Sequence, residues 1–210
     1  MSNTPDNNRL DAGDDLDADP FEMPPSLDGQ TSNIEVASKI EVEVNVDPQI
    51  SVAINQPLMI RAIATAAAAR GFTAGQIGVR VTDDPAIREI NAKHLGHDYA
   101  TDVISFGYEA DSPYVEGELV VSIDTAISRA AELGWPAESE LILYVVHGTL
   151  HICGMDDHDD DDRQAMRTFE TEVMTRLGIP DIQRFGADTE NQIESDIEIT
   201  AEHSSPEVQS

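Results

Sequence analysis

The 210-residue sequence has a single cysteine, Cys153, only 12 lysines and arginines, and 5 % aromatic residues. One thiol excludes an intrachain disulfide, which suits a reducing compartment. No apolar stretch reaches the ~18–20 residues needed to cross a bilayer. Residues 1–30 are acidic and show no basic start followed by an apolar run, so no secretory signal is expected. These absences predict a cytoplasmic protein with no membrane partner. Few cations and no ribonucleoprotein-type aromatic motif also exclude base-specific nucleic-acid readout by such a motif.

What the chain has in excess is acid, with a net charge of −29. Residues 1–50 hold 12 acids against 2 bases, residues 181–210 hold 8 against 1, and residues 51–180 hold 21 against 9. The two ends are also poor in aromatics and rich in Asn, Ser, Pro and Asp. Such composition buries too little apolar surface to offset chain ordering. The expected organisation is a disordered acidic tail over 1–36, one folded domain over 37–182 and a second disordered acidic tail over 183–210.

Between the ends the periodicities are legible. Strict alternation over 40–46 predicts a strand, and residues 75–82, 101–106 and 117–123 read as three more. Asn55-Gln-Pro57 starts a helix with an apolar stripe of Met59, Ala62, Ile63, Ala66 and Ala69, and Gly71 stops it. Asp83 caps a helix over about 85–94, another covers 124–133, an apolar one runs from 138 to 153, and a last one runs from about 160 to 177. The order βαβαββααα predicts an α/β (α+β) fold, a small mixed four-stranded sheet covered by helices.

The apolar helix ends in His147-Gly-Thr-Leu-His151-Ile-Cys-Gly154-Met-Asp156-Asp157-His158. Imidazoles at i and i+4 project from one helix face and close on one metal ion. Gly154 can end the helix and return the chain, bringing Asp157 or His158 to the same point. Two helical His and one loop ligand leave a coordination position open, the arrangement of catalytic rather than structural zinc. Zinc proteases with HExxH place a general-base Glu beside the first His; here that position is Gly148, which argues against a peptidase. Asp156 is expected to orient a ligand His from outside the coordination sphere. Asp102 reads as a brace at the floor of the cleft or a structural cap.

The segment resembles the H-G-x-L-H-x-x-G-x-D-H signature of the YbeY family, matching at His147, Gly148, Leu150, His151, Gly154 and Asp156. Thr101 to Phe106 is similar to that family's T-D-V-L-S-F strand, Ile90-Asn91 to its L-N pair, Gly117 to Val120 to its G-D-I-V strand, and Met166 to a methionine of its last helix. The resemblance spans about 40–180. It implies a single-strand-specific, zinc-dependent endoribonuclease with one Zn2+ per chain, held by His147, His151 and a third residue. It further implies action on precursor ribosomal RNA, in late maturation of the small-subunit (16S) 3′ end and in ribosome quality control. The small subunit or its proteins would be partners.

Two positions depart from the family. Its third ligand is a His ten residues after the first, where this chain has Asp157 with His158 next to it; either is a competent zinc ligand. Its arginine after L-N-x-x-Y is Leu95 here, which removes a charge able to stabilise a phosphoryl group. His94 and His97 flank that gap, and Arg88 and Lys93 are the nearest fixed positive charges. Arg61, Arg70, Arg80, Arg88, Lys93 and Arg129 would have to share one groove to hold RNA by charge. The competing readings are a hydrolase of another substrate and a ribosome-assembly factor whose metal is structural.

Overall fold

The computed structural model describes residues 39–182, and both expected tails lie outside the described residues. Four strands and five helices follow in the expected order: β1 (Lys39–Val46), α1 (Gln56–Ala69), β2 (Ala74–Thr82), α2 (Asp84–Leu95), β3 (Val103–Asp111), β4 (Tyr114–Ser122), α3 (Ile123–Leu133), α4 (Ala137–Ile152) and α5 (Asp160–Leu177). The sheet is mixed, in the order β1-β2-β4-β3, with β1, β2 and β4 parallel and β3 antiparallel at the edge. No helix among the described residues is long and apolar enough to cross a membrane.

The helix starts follow local chemistry. Asn55 accepts from the Leu58 amide, Asp83 from Ala86 and Asp159 from Asp162, each capping an otherwise unpaired N–H. Asp160, Asp161 and Asp162 occupy the first turn of α5, where the helix dipole favours negative charge. This gives part of the acidic run after the His motif a structural reason.

The sheet separates two unequal cores. On one face Val79, Val81, Leu119 and Val121 meet α1, α4 and α5 in the main core; on the other Ile104 and Val120 meet Ile87 of α2. Helix α4 is buried on nearly every side, as a central core helix must be. It crosses β3 and β4 closely because Gly148 has no side chain. A Cβ there would lie 2.7 Å from Leu119 Cδ2 and 2.9 Å from both Ser105 Oγ and Val103 Cγ2.

At the far end of β1, Asp47 ties two strands together. It accepts from Arg80 Nε (2.9 Å) and Nη2 (2.8 Å) and from Thr82 Oγ1 (2.5 Å). The hydrogen bond from Arg80 is the main cause holding the Asp47 carboxyl below its usual range, with burial opposing it. A depressed folded pKa gives stability that is present above the unfolded value near 3.9 and lost as pH falls through the folded value. Urea unfolding should therefore find wild type more stable than Asp47→Asn by about 1 kcal/mol near neutral pH. The gap should close as the solution is acidified below about pH 4.

Candidate metal centre

Gly154 adopts φ 79°, and the amides of Gly154 and Met155 bond the carbonyls of His151 (2.9 Å) and Leu150 (3.0 Å). This paired closure is a Schellman motif, with Met155 packed against the main core. It returns the chain along α4 and sets Asp157 opposite the two rings. Arg163 of α5 braces the return by donating to the carbonyls of His158 (2.8 Å) and Asp157 (3.3 Å) and pairing with Asp160.

The result is a three-atom cluster. His147 Nε2 and His151 Nε2 are 3.0 Å apart, and Asp157 Oδ2 lies 3.7 Å from the first and 3.8 Å from the second. Ligands ~2.1 Å from a tetrahedral ion sit about 3.4 Å from one another, so the spacing fits one ion. His147, His151 and Asp157 thus form a group able to hold a metal. Cys153, though adjacent in sequence, is buried in the main core, and that burial pushes its thiol up to about 12.

The tautomers sharpen the fit. His151 Nδ1 lies 3.0 Å from the Met155 carbonyl, which only accepts, so Nδ1 carries the proton. His147 Nδ1 likewise donates to Glu170 Oε1 at 2.7 Å. In both neutral rings the Nε2 lone pairs then face each other across 3.0 Å, an arrangement that needs a cation between them or a proton on one of them. Burial pushes His147 toward the neutral form. The Glu170 hydrogen bond and the charges of Glu170, Asp102 and Asp157 outweigh it and raise the ring's pKa. The pocket is therefore set to attract positive charge, which a proton or a metal satisfies.

Of the sequence candidates, the fold brings His147, His151 and Asp157 together and leaves His158 outside. The His158 side chain is 84 % exposed and paired with Asp156. Asp156 bonds His158 and the Asp157 amide, so its carboxylate organises the loop, and the outer nitrogens of the ring pair are held by Glu170 and the Met155 carbonyl instead. Asp102 caps the start of β3, accepting from Val103 N (2.8 Å) and Thr101 Oγ1 (2.9 Å). Glu170 was missed by the sequence reading. Its signal was a carboxylate on the inner stripe of α5, beside Met166, Val173 and Leu177, where burial demands a partner. Chelator competition should show that Glu170→Gln weakens metal binding about 10–100-fold, the usual cost of losing an outer partner of a ligand His.

The cations do not share one groove. Arg61 bonds the Leu177 carbonyl, Arg80 pairs with Asp47, Arg88 with Asp98 and Arg129 with Glu132. A groove of about 780 Å³ on the α2 face of the sheet takes in Arg80, Lys93 and His94, but also Glu43, Glu89 and Glu118. None of the three clustered metal-site residues lines it.

The family described as Endoribonuclease YbeY matches residues 35–178. A protein named Endoribonuclease YbeY from Rhodopirellula baltica is 51 % identical over 123 residues, covering 58 % of this chain and 63 % of that protein. Its namesake from Chloroflexus aurantiacus is 35 % identical over 151 residues, covering 66 % of this chain and 96 % of its own. A Thermotoga maritima protein solved in solution aligns at a TM-score of 0.45 and 20 % identity, over 65 % of this chain and 90 % of its own. With a family match over residues 35–178, running from β1 to the end of α5, this chain belongs to the YbeY family.

Proposed function

We propose that this chain is a zinc-dependent endoribonuclease that hydrolyses phosphodiester bonds in single-stranded RNA. The observation that carries this reading is the convergence of His147 Nε2, His151 Nε2 and Asp157 Oδ2, 3.0 to 3.8 Å from one another. His147, His151 and Asp157 are the ligands in this reading, one ion per chain. Zinc held there would supply Lewis acidity at a phosphoryl oxygen and lower the pKa of a coordinated water toward ~7.

The chain's own residues do the positioning. Glu170 fixes the His147 ring and keeps its proton on Nδ1; the Met155 carbonyl does the same for His151. The Gly154 closure and Arg163 hold Asp157 at the third corner. Three protein ligands leave room for substrate, as catalytic sites require. A carboxylate in the set lowers the site's net charge relative to three imidazoles, so the coordinated water should be less acidic than in a three-His site.

The natural substrate in this reading is precursor 16S ribosomal RNA near its 3′ end, with a further part in ribosome quality control in the cytoplasm. A chain this acidic, with Arg80 and Arg88 already paired to carboxylates, is poorly built to capture phosphates alone. Small-subunit proteins would deliver the RNA. Site-selective cleavage of free RNA without those proteins would contradict the delivery role.

The test of the ligand set compares Asp157→Ala with His158→Ala. Metal content and cleavage of single-stranded RNA should both fall in Asp157→Ala and stay near wild type in His158→Ala. The opposite pattern would assign the third corner to His158.

A further inference from the structure

The segment between α2 and β3 presents an unusual surface for so polar a chain. Leu95 is 52 % exposed and Tyr99 57 % exposed within five residues of each other. The His97 ring stacks on the Tyr99 ring, with centroids 5.4 Å apart and planes 13° apart. Stacking between two exposed rings leaves the outer face of the pair open to solvent.

The backbone beneath this pair is pinned. Asn91 is buried; its carbonyl accepts from the amides of Gly96 and His97, and its Nδ2 donates to the Tyr99 carbonyl at 2.9 Å. Asp98, between the two rings, pairs with Arg88 of α2 at 2.7 Å. Gly96 turns the chain at φ 77°. Every residue from 96 to 99 is thereby tied to α2, and a preformed surface loses little freedom when a ligand lands on it.

This pinned segment leads straight to the metal centre. Three residues past Tyr99, Asp102 caps β3 and contributes to the charge felt by His147. Val103 then packs where a Cβ on Gly148 would be, next to His147. Three residues of chain span at most ~11 Å, which bounds the backbone separation of Tyr99 and Asp102.

We infer that His97 and Tyr99 form a stacking platform for an unpaired nucleobase of the RNA strand. The inference rests on RNA being the substrate, as proposed above. Stacking is the route to strand binding that needs no cation, and it accepts any base because each has a π face. It suits a domain in which Arg61, Arg80, Arg88 and Arg129 each have an intramolecular partner. Tyr99, more than half exposed, offers the contact face.

The test uses the full chain with a metal chelator and two fully 2′-O-methyl oligonucleotides of equal length, one carrying bases and one abasic, so that charge is matched and neither strand is cut. Wild type should bind the base-bearing strand about tenfold more tightly, the scale of one base–aromatic stack. That preference should persist between about 0.05 and 0.2 M salt, because it releases no counterions. Tyr99→Ala should lose it and Tyr99→Trp keep it. In cleavage of unmodified RNA, Tyr99→Ala should raise KM with kcat little changed. If wild type cleaves RNA yet Tyr99→Ala retains the full base preference, the platform is overturned and the nuclease reading stands. If wild type neither binds nor cleaves RNA, both fall together.

Discussion

His151→Ala should reduce RNA cleavage by about 10³-fold or more, beyond the 10–100-fold typical of losing an outer-shell partner. The protein should remain folded. His151 is partly exposed and its one backbone partner is the Met155 carbonyl, so its removal should cost only about 0.5–1.5 kcal/mol. His147 is a less clean probe, because its ring is the partner of the buried Glu170 carboxylate and its loss would disturb the α4–α5 contact. Single-turnover cleavage with added zinc, alongside thermal unfolding, separates the two effects. Near-wild-type cleavage by His151→Ala would remove the ring pair from the mechanism.

Gly148→Glu should be the most damaging single substitution in α4. It would recreate the protease motif, but there is no space for it. A Cβ alone meets Leu119, Ser105 and Val103 within 3.0 Å, and Leu119 is locked in the core. For Gly148→Ala, overpacking of about 1–3 kcal/mol is partly offset by about 1 kcal/mol of helix propensity. The glutamate adds a carboxylate forced against an apolar sheet, a further penalty of several kcal/mol. That is a large share of a typical total stability of about 5–15 kcal/mol. Urea unfolding should find Gly148→Ala mildly destabilised and Gly148→Glu unfolded or nearly so. A stable Gly148→Glu protein with peptidase activity would contradict the packing account.

The contrast between these two neighbouring positions shows what a sequence carries openly. The i, i+4 His pair and Gly154 are local signals, because helix period and a left-handed residue follow from a few adjacent letters. So the shared face of the two rings and the returning loop were readable directly. Whether Asp157 or His158 faced the rings was not, since it depends on the loop's path under Arg163 and the Asp156 carboxylate.

Strands followed the same division. β1 and β2 alternate against a core and were readable within a residue of their observed ends. The hairpin of β3 and β4 runs beyond its expected limits, to Asp111 on one side and back to Tyr114 on the other. Those added residues are mostly exposed, so no buried face imprinted a period on them. Glu170 stayed hidden for a different reason. Its role depends on α5 packing beside α4, a contact between residues 23 apart that no local pattern encodes.

The most direct measurement is the metal stoichiometry and coordination of the full-length protein, by elemental analysis and X-ray absorption. One zinc per chain is predicted, bound by two imidazole nitrogens and one carboxylate oxygen, with one position open to exchange. A protein that binds no stoichiometric metal even when zinc is supplied, or one whose ion is closed off by four protein ligands, would contradict it.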